Sequence, residues 1–206
     1  MSEQERAGNQ WKKARNSYGY LRSHIREKAG NDRYKLSIID LVLVSNFKGG
    51  SATIAEPVDS LKCKLKCYEK KLSEIGKCFG DKKLACLTEE KLKRLITLAS
   101  EFCQLATTKS TKIDGFGPSF ATALLNANFP DLLPILDRRG LNGAGFENVE
   151  TNTQGQVRQI ESHYPALIRY FYDRARDDKM SLEDIDEEIF CRVLQPPFRR
   201  QENVNE

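Results

Sequence analysis

An aspartate with apolar residues on one side and arginines on the other is the best candidate in the chain for chemistry. Asp137 follows Ile135 and Leu136 and precedes Arg138 and Arg139. Two neighbouring positive charges lower the pKa of a carboxyl group, so we expect Asp137 to be an anion at neutral pH. A rigid carboxylate can stabilise the positive charge that builds on a sugar when a glycosidic bond breaks. It can equally cap a short following helix, and the two interpretations are compatible.

A glycine turn lies 22 residues before this aspartate, from position 115 to position 137. Gly115 and Gly117 flank one residue and are followed by Pro118. Glycines permit a tight turn and a close approach to a large ligand, and proline favours the first position of a helix. The amides at the start of that helix would face outward and could bind a phosphate. Taken alone, the turn is more simply interpreted as a helix cap between two packed helices.

Together the two segments resemble the helix-hairpin-helix DNA glycosylase superfamily, which includes endonuclease III and the adenine glycosylase of A·G mismatches. That group combines Gly-x-Gly, a small-residue helix and an apolar-Pro-apolar-apolar-Asp run that carries the catalytic aspartate. Here the run is Leu133-Pro-Ile-Leu-Asp137, and its spacing from Gly115 is the one expected in the adenine glycosylase branch. The resemblance is specific over residues 113–137 and elsewhere rests on helix patterns alone.

The resemblance implies that DNA is the partner and that a flipped-out base enters the site. It makes Asp137 the catalytic residue, which stabilises an oxocarbenium-like sugar. It also implies that the hairpin binds the strand backbone through Lys112, Gly115, Phe116, Gly117 and Ser119. Hairpin carbonyls hold a monovalent cation in the superfamily, and the sequence implies no other cofactor.

The two arginines depart from the family pattern, in which small or polar residues follow the aspartate. An arginine at this point could grip the phosphate beside the flipped nucleotide. It could equally form a salt bridge with an acidic side chain of the last predicted helix. We expect the salt bridge for one of Arg138 and Arg139.

The position that carries a lysine in the strand-cleaving members is occupied here by Ser119, 18 residues before Asp137. Serine cannot form the Schiff base that lyase chemistry requires. We therefore expect a monofunctional enzyme that leaves an abasic site, with Lys112 a weak substitute for the missing amine. The C-terminal cysteine run that binds the iron–sulfur cluster of endonuclease III is also missing, since only Cys191 lies there.

A small-residue loop after an apolar segment has a counterpart in the family, where it supplies a wedge inserted into the duplex. By that resemblance Asn46 or Phe47 would be the wedge and Lys48 would contact a phosphate. An ordinary core position for Phe47 is about equally supported by the sequence.

Apolar residues recur at helical spacing along most of the chain, so we predict an all-α fold. The local patterns predict a helix that begins at Gln10, a buried helix over 34–47, an N-cap at Thr88, a loop over 140–146, a helix over 156–176 that Pro165 kinks or divides, and a capping box over 181–184. The resemblance implies two helical lobes with the hairpin, at about residues 105–127, in the cleft between them. We predict one domain over residues 10–197, with disordered ends at 1–9 and 198–206. The hairpin's first helix, normally longer and apolar, must here be one turn or come from residues before 105.

Composition excludes several classes of protein. Hydrophobic residues make up 39% and charged residues 30% of the chain, with a formal charge of +4, which permits a polyanionic partner without requiring one. No run is long and apolar enough to span a membrane, and the first residues lack the apolar region of a secretory signal. The six cysteines lack a usual zinc spacing. We expect reduced thiols, no metal, and a monomer in the cytoplasm or on the nucleoid.

Three functions are open at this point. The first is a monofunctional DNA glycosylase. The second is a catalytically silent module of the same fold that binds DNA or a protein, which the short hairpin helix and the modest net charge favour. The third is a helical domain without a nucleic-acid role, in which the hairpin is only a cap.

Overall fold

The computed structural model describes residues 3–48, 54–146, 149–150 and 157–193. These residues form α-helices and no β-strand, which confirms the all-α class. The helices are α1 (Glu3–Glu27), α2 (Ile38–Phe47), α3 (Val58–Phe79), α4 (Glu89–Gln104), α5 (Pro118–Asn128), α6 (Arg138–Gly143), α7 (Tyr164–Asp177) and α8 (Leu182–Val193). Within the described ranges, none of these helices is both long and apolar enough to cross a membrane.

Side-chain caps define where several helices begin. The Thr88 hydroxyl accepts the amide of Lys91 at the start of α4, as predicted. The predicted capping box at α8 is also present, because the Ser181 hydroxyl accepts the amide of Asp184 at 3.1 Å. Each cap satisfies amides that the first helical turn leaves without a partner.

The core is built around α5, whose residues 121–128 are all buried. Helices α1, α2 and α4 contact α5, α1 also contacts α8, and α6 packs on α8. The small side chains of α5 let these neighbours approach closely. This central position fixes both ends of α5, which are the hairpin and the segment leading to Asp137.

Three helix limits differ from those predicted. Helix α1 begins at Glu3 rather than at Gln10. Pro165 does not kink a long helix but lies in the first turn of α7, where its missing amide costs nothing. The glycine-rich segment after Asp137, predicted as a loop, begins with the short helix α6.

Helix α2 is only half buried, although its nearly continuous apolar sequence predicted a buried helix. Leu41 and Val44 are fully buried, whereas Ile38, Ile39 and Val42 are 48–55% exposed. The one charged residue in the middle of the run, Asp40, is itself fully buried, so polarity does not mark the exposed face. The sequence therefore could not distinguish a helix buried all round from one with an exposed apolar face.

Some predicted features lie outside the described residues, namely most of the loop after Lys48 and the predicted disordered tail at 198–206. The specific two-lobed arrangement of the helix-hairpin-helix superfamily stays a prediction.

Candidate active site

Buried side chains hold the segment that carries Asp137. The Thr122 hydroxyl of α5 accepts the amide of Leu136 at 3.0 Å. One turn further along α5, the Asn126 amide donates to the carbonyl of Leu133 at 2.6 Å. From the opposite side, the Tyr164 hydroxyl donates to the carbonyl of Pro134 at 2.9 Å. Satisfied buried polar groups of this kind rigidify the backbone. The backbone that precedes Asp137 is therefore held in one position.

Asp137 is the N-cap of α6 and also the partner of a lysine. Its Oδ1 accepts the amide of Gly140 at 2.7 Å, and its Oδ2 accepts from the ammonium of Lys48 at 2.8 Å. The aspartate side chain is 33% exposed and that of Lys48 is 12% exposed. The carboxylate is therefore held by both oxygens and still faces an opening.

The pKa of Asp137 reflects opposing effects. Burial raises it, but the charge and hydrogen bond of Lys48, the amide of Gly140 and the charge of Arg139 together bring it below its ordinary value. The predicted direction agrees with this result, although the chief positive charge comes from Lys48 and only a minor part from Arg139. Asp137 is thus an anion at neutral pH.

The glycine turn is a tight four-residue turn just before α5. The amide of Phe116 donates to the carbonyl of Ile113 at 3.0 Å, and Gly115 has φ +83°, which a side-chain-bearing residue rarely adopts. Phe116 is buried edge-on against Tyr68 at a centroid distance of 6.1 Å. The amide of Asp114 donates to Glu56 at 3.3 Å, so the turn is tied to the chain preceding α3.

The segment between α4 and the turn confirms that the hairpin has no long first helix of its own. Helix α4 ends at Gln104, and successive turns follow, in which the amide of Lys112 donates to the carbonyl of Thr108 at 2.7 Å.

One cleft, with a volume of about 930 Å³, joins the turn to the aspartate. Its volume lies within the range of roughly 300–1,000 Å³ that small-molecule sites occupy. The predicted site residues in its wall are Phe47, Lys48, Lys112, Gly115, Phe116, Gly117, Ser119, Asp137, Arg138 and Arg139. Asn46 is exposed but does not belong to the described residues that line the cleft.

Two aromatic contacts bear on the predicted roles of Phe47 and Arg139. The ring of Phe47 packs against Tyr18 at 5.0 Å while also lining the cleft, so it has both a core contact and an open side. The guanidinium of Arg139 lies over the ring of Phe190 at 5.2 Å. Arg139 therefore contacts α8 through a cation–π interaction, and the salt bridge expected for one of the two arginines stays a prediction.

Sequence reasoning missed Asp186, an acidic residue of α8 that lines the same cleft. Burial raises its pKa to about 7, the charges of Asp137 and Glu183 raise it as well, and Lys48 opposes them. Its position in the helix could have revealed it. Asp186 is four residues after Leu182 and three before Ile189, both of which are buried, so it lies on the same side of α8 as they do. A carboxylate at an inward-facing helix position is unusual enough to indicate a site.

The hairpin carbonyls match the kind of donor that the expected monovalent cation takes, since hard cations bind oxygen. The carbonyl of Ile113 accepts one amide hydrogen bond, from Phe116 at 3.0 Å, and retains a second lone pair. The carbonyl of Gly117 already accepts two, from Phe120 and Ala121 at 3.0 Å. Such a cation would help to hold a phosphate against the turn. Within the described ranges, His, Cys, Asp and Glu side chains form no group of three or more arranged to hold a metal ion.

No family model, curated protein or solved structure matches the chain. The site must therefore be interpreted from its own geometry and from the motif resemblance.

Proposed function

We propose that this protein is a monofunctional DNA glycosylase of the helix-hairpin-helix type, which hydrolyses the N-glycosidic bond of a damaged or modified base flipped out of DNA. The observation that carries the proposal is an ionised, partly exposed Asp137, held at both oxygens in the wall of a cleft that also contains the glycine turn.

The charge on Asp137 suits the reaction. As the base leaves, positive charge develops on the deoxyribose, and a fixed anion beside the sugar lowers the energy of that state. Because the Gly140 amide and Lys48 orient the carboxylate beforehand, little reorganisation is needed when the bond breaks. An ionised carboxylate is also required, which agrees with the lowered pKa of Asp137.

The turn suits the DNA backbone. It precedes the amino end of α5, where outward-facing amides and the helix dipole favour an anion. Lys112, Arg138 and Arg139 add positive side chains along the same cleft. In this proposal the turn grips the strand, Asn46 or Phe47 fills the space left by the flipped base, and the base enters the cleft.

Base removal is hydrolytic in this scheme. Ser119 lies in the cleft wall at the position where an amine would act in the strand-cleaving members, and its hydroxyl cannot form a Schiff base. Water is then the nucleophile, and the product is an abasic site.

A panel of duplexes, each with one modified or mismatched base, tests the proposal. The wild-type protein should create alkali-labile sites in at least one duplex, and Asp137→Asn should lower the rate by about 1,000-fold or more, the scale of losing transition-state charge stabilisation. Asparagine can keep the cap of α6, so the fold should survive, which circular dichroism can verify. Asp81→Asn, at an exposed turn, is the matched control; equal rates for wild type and Asp137→Asn would contradict the proposal.

A second candidate function is DNA binding without cleavage. It is favoured by one observation: the Lys48 ammonium lies on the Asp137 carboxylate and neutralises it in the free protein. This alternative predicts salt-dependent affinity for duplex DNA, unchanged or tighter in Asp137→Asn, with no alkali-labile product from any duplex.

A further inference from the structure

A second, smaller cavity adjoins the cleft, and we call it the side cavity. It has a volume of about 70 Å³, against about 930 Å³ for the cleft. The two spaces are neighbours, since they share the wall residues Trp11, Ala14, Phe47, Ile135 and Asp186. Small-molecule sites usually occupy roughly 300–1,000 Å³, so the side cavity is too small for a base but has room for a few water-sized groups.

Several polar groups around the side cavity already have partners. The Tyr18 hydroxyl donates to Oδ1 of Asn126, and Nδ2 of Asn126 donates to the carbonyl of Leu133 at 2.6 Å. The guanidinium of Arg15 forms an ion pair with Glu183 at 2.5 Å. These groups therefore shape the wall and are satisfied without a ligand.

The carboxyl group of Asp186 differs from them. It lies on the boundary between the cleft and the side cavity, and it has no hydrogen-bond or ion-pair partner among the described residues. The cations that share its surroundings are engaged elsewhere, Lys48 with Asp137 at 2.8 Å and Arg15 with Glu183. A partly buried carboxyl group without a partner costs free energy, which a ligand that hydrogen-bonds to it would recover.

The single tryptophan of the chain, Trp11, borders both spaces. Its ring packs against that of Phe190, one turn of α8 after Asp186, at a centroid distance of 5.2 Å. Aromatic side chains stack on a base that has left the duplex. A base whose sugar lies at Asp137 and whose ring lies along Trp11 would turn one edge toward the side cavity.

We propose that the side cavity binds a small polar substituent carried by the flipped base, with Asp186 as its hydrogen-bond partner. The inference rests on the proposed glycosylase and names its class of substrate: bases that carry a group of the size of hydroxymethyl, rather than unsubstituted bases or bases with a bulky group such as a sugar. A hydroxyl suits Asp186 in either protonation state, because it can donate to a carboxylate and accept from a carboxylic acid. The carbon of the substituent would contact the apolar part of the wall, which includes Ala14 and Phe171.

Three series of duplexes test this preference, with cytosine or uracil substituted at carbon 5 and adenine substituted at N6. Each base carries hydrogen, methyl or hydroxymethyl. In the series that the protein cleaves, hydroxymethyl should raise kcat/KM over hydrogen by about 10-fold or more. Glucosylation of the hydroxymethyl group, which makes it larger than the side cavity, should abolish excision.

Two variants separate the size of the side cavity from its polarity. Ala14→Leu fills part of the side cavity, so the ratio of hydroxymethyl to hydrogen should fall to about one. Ser23→Leu, at an exposed position of α1 outside both spaces, is the matched control and should keep the wild-type ratio. Asp186→Ala should remove the advantage of hydroxymethyl over methyl and keep that of methyl over hydrogen.

Fluorescence of Trp11 gives a readout that does not need catalysis. The free bases of the same series should quench it, and the hydroxymethyl bases should do so at a lower concentration than their parents. Such quenching without excision from any duplex would support the side cavity and contradict base removal. Excision at equal rates for all three substituents would overturn the inference and leave the glycosylase. Equal quenching by substituted and unsubstituted bases, or an unchanged ratio in a folded Ala14→Leu protein, would also overturn it.

Discussion

At the scale of single residues, the sequence identified Asp137, named Lys48 in a different role and missed Asp186. Asp137 was recognisable from its apolar run, its two following arginines and its distance from the glycine turn. Its pairing with Lys48 joins positions that are 89 residues apart, and no local pattern encodes such a contact. The motif resemblance implies that Lys48 contacts a phosphate, which stays a prediction, and in the structure its ammonium pairs with the carboxylate of Asp137.

Asp186 supplies the clearest prediction for the dependence of stability on pH. Its pKa is raised from 3.8 to about 7 in the folded protein, so between these values the folded state holds a proton that the unfolded state releases. The free energy of unfolding therefore falls as the pH rises through this window and stays lower above it.

Asp186→Asn should remove the loss of stability that ionisation of Asp186 causes at high pH. We expect a gain of roughly 2 kcal/mol at pH 8, allowing for solvent around a partly exposed group, and a gain close to zero at pH 4. Urea unfolding at both pH values measures the difference, and Asp81→Asn at an exposed turn is the control. A gain of the same size at both pH values would show that Asp186 does not hold a proton in the folded state.

At the scale of elements, the sequence predicted helices well and their burial less well. Caps at Thr88 and Ser181 were recognisable because a cap and its first turn are local. The exposed side of α2 was not, because Ile38, Ile39 and Val42 look the same in a core as on a surface. The short helix α6 was hidden by its glycines, which favour a loop in isolation but here allow a close approach to α8.

The approach of α6 to α8 should be intolerant of even one methyl group. A Cβ at Gly143 would lie 2.5 Å from the backbone oxygen of Ile189, so Gly143→Ala must push the two helices apart. We expect a loss of about 1–3 kcal/mol in the free energy of unfolding, measured by thermal and urea unfolding. Base excision should fall as well, because Asp137 is the N-cap of the displaced helix.

Gly19→Ala is the matched control for this change. Gly19 lies within α1 and has open space around its Cβ position, so alanine should stabilise the protein by about 0.5–1 kcal/mol through its helix propensity. Destabilisation by both substitutions would contradict the assignment of the Gly143 effect to crowding.

At the scale of the whole molecule, the modest net charge of +4 implies that the proposed affinity for DNA would depend on where the positive side chains lie. Lys112 is exposed beside the turn, its ammonium lies 3.6 Å from the carboxylate of Asp114, and it lines the cleft. In the proposed complex it would face a phosphate, and the release of counterions would make the affinity depend on salt.

Lys112→Gln should therefore weaken binding to all duplexes alike and lower the slope of log affinity against log salt by about 1. Fluorescence anisotropy over a salt series measures this slope. Lys93→Gln, outside the residues that line the cleft, should leave it unchanged; an equal effect of both substitutions would mean that DNA does not follow the cleft past the turn.

The link between Lys48 and Asp137 ties the end of α2 to the start of α6, across nearly half of the chain. A nascent chain shorter than 137 residues, or a proteolytic fragment from one side of α5, contains at most one of the two groups. In the proposed glycosylase, Asp137 would be positioned against Lys48 only once α6 had packed on α8. Completion of folding would then itself guard against premature cleavage of DNA.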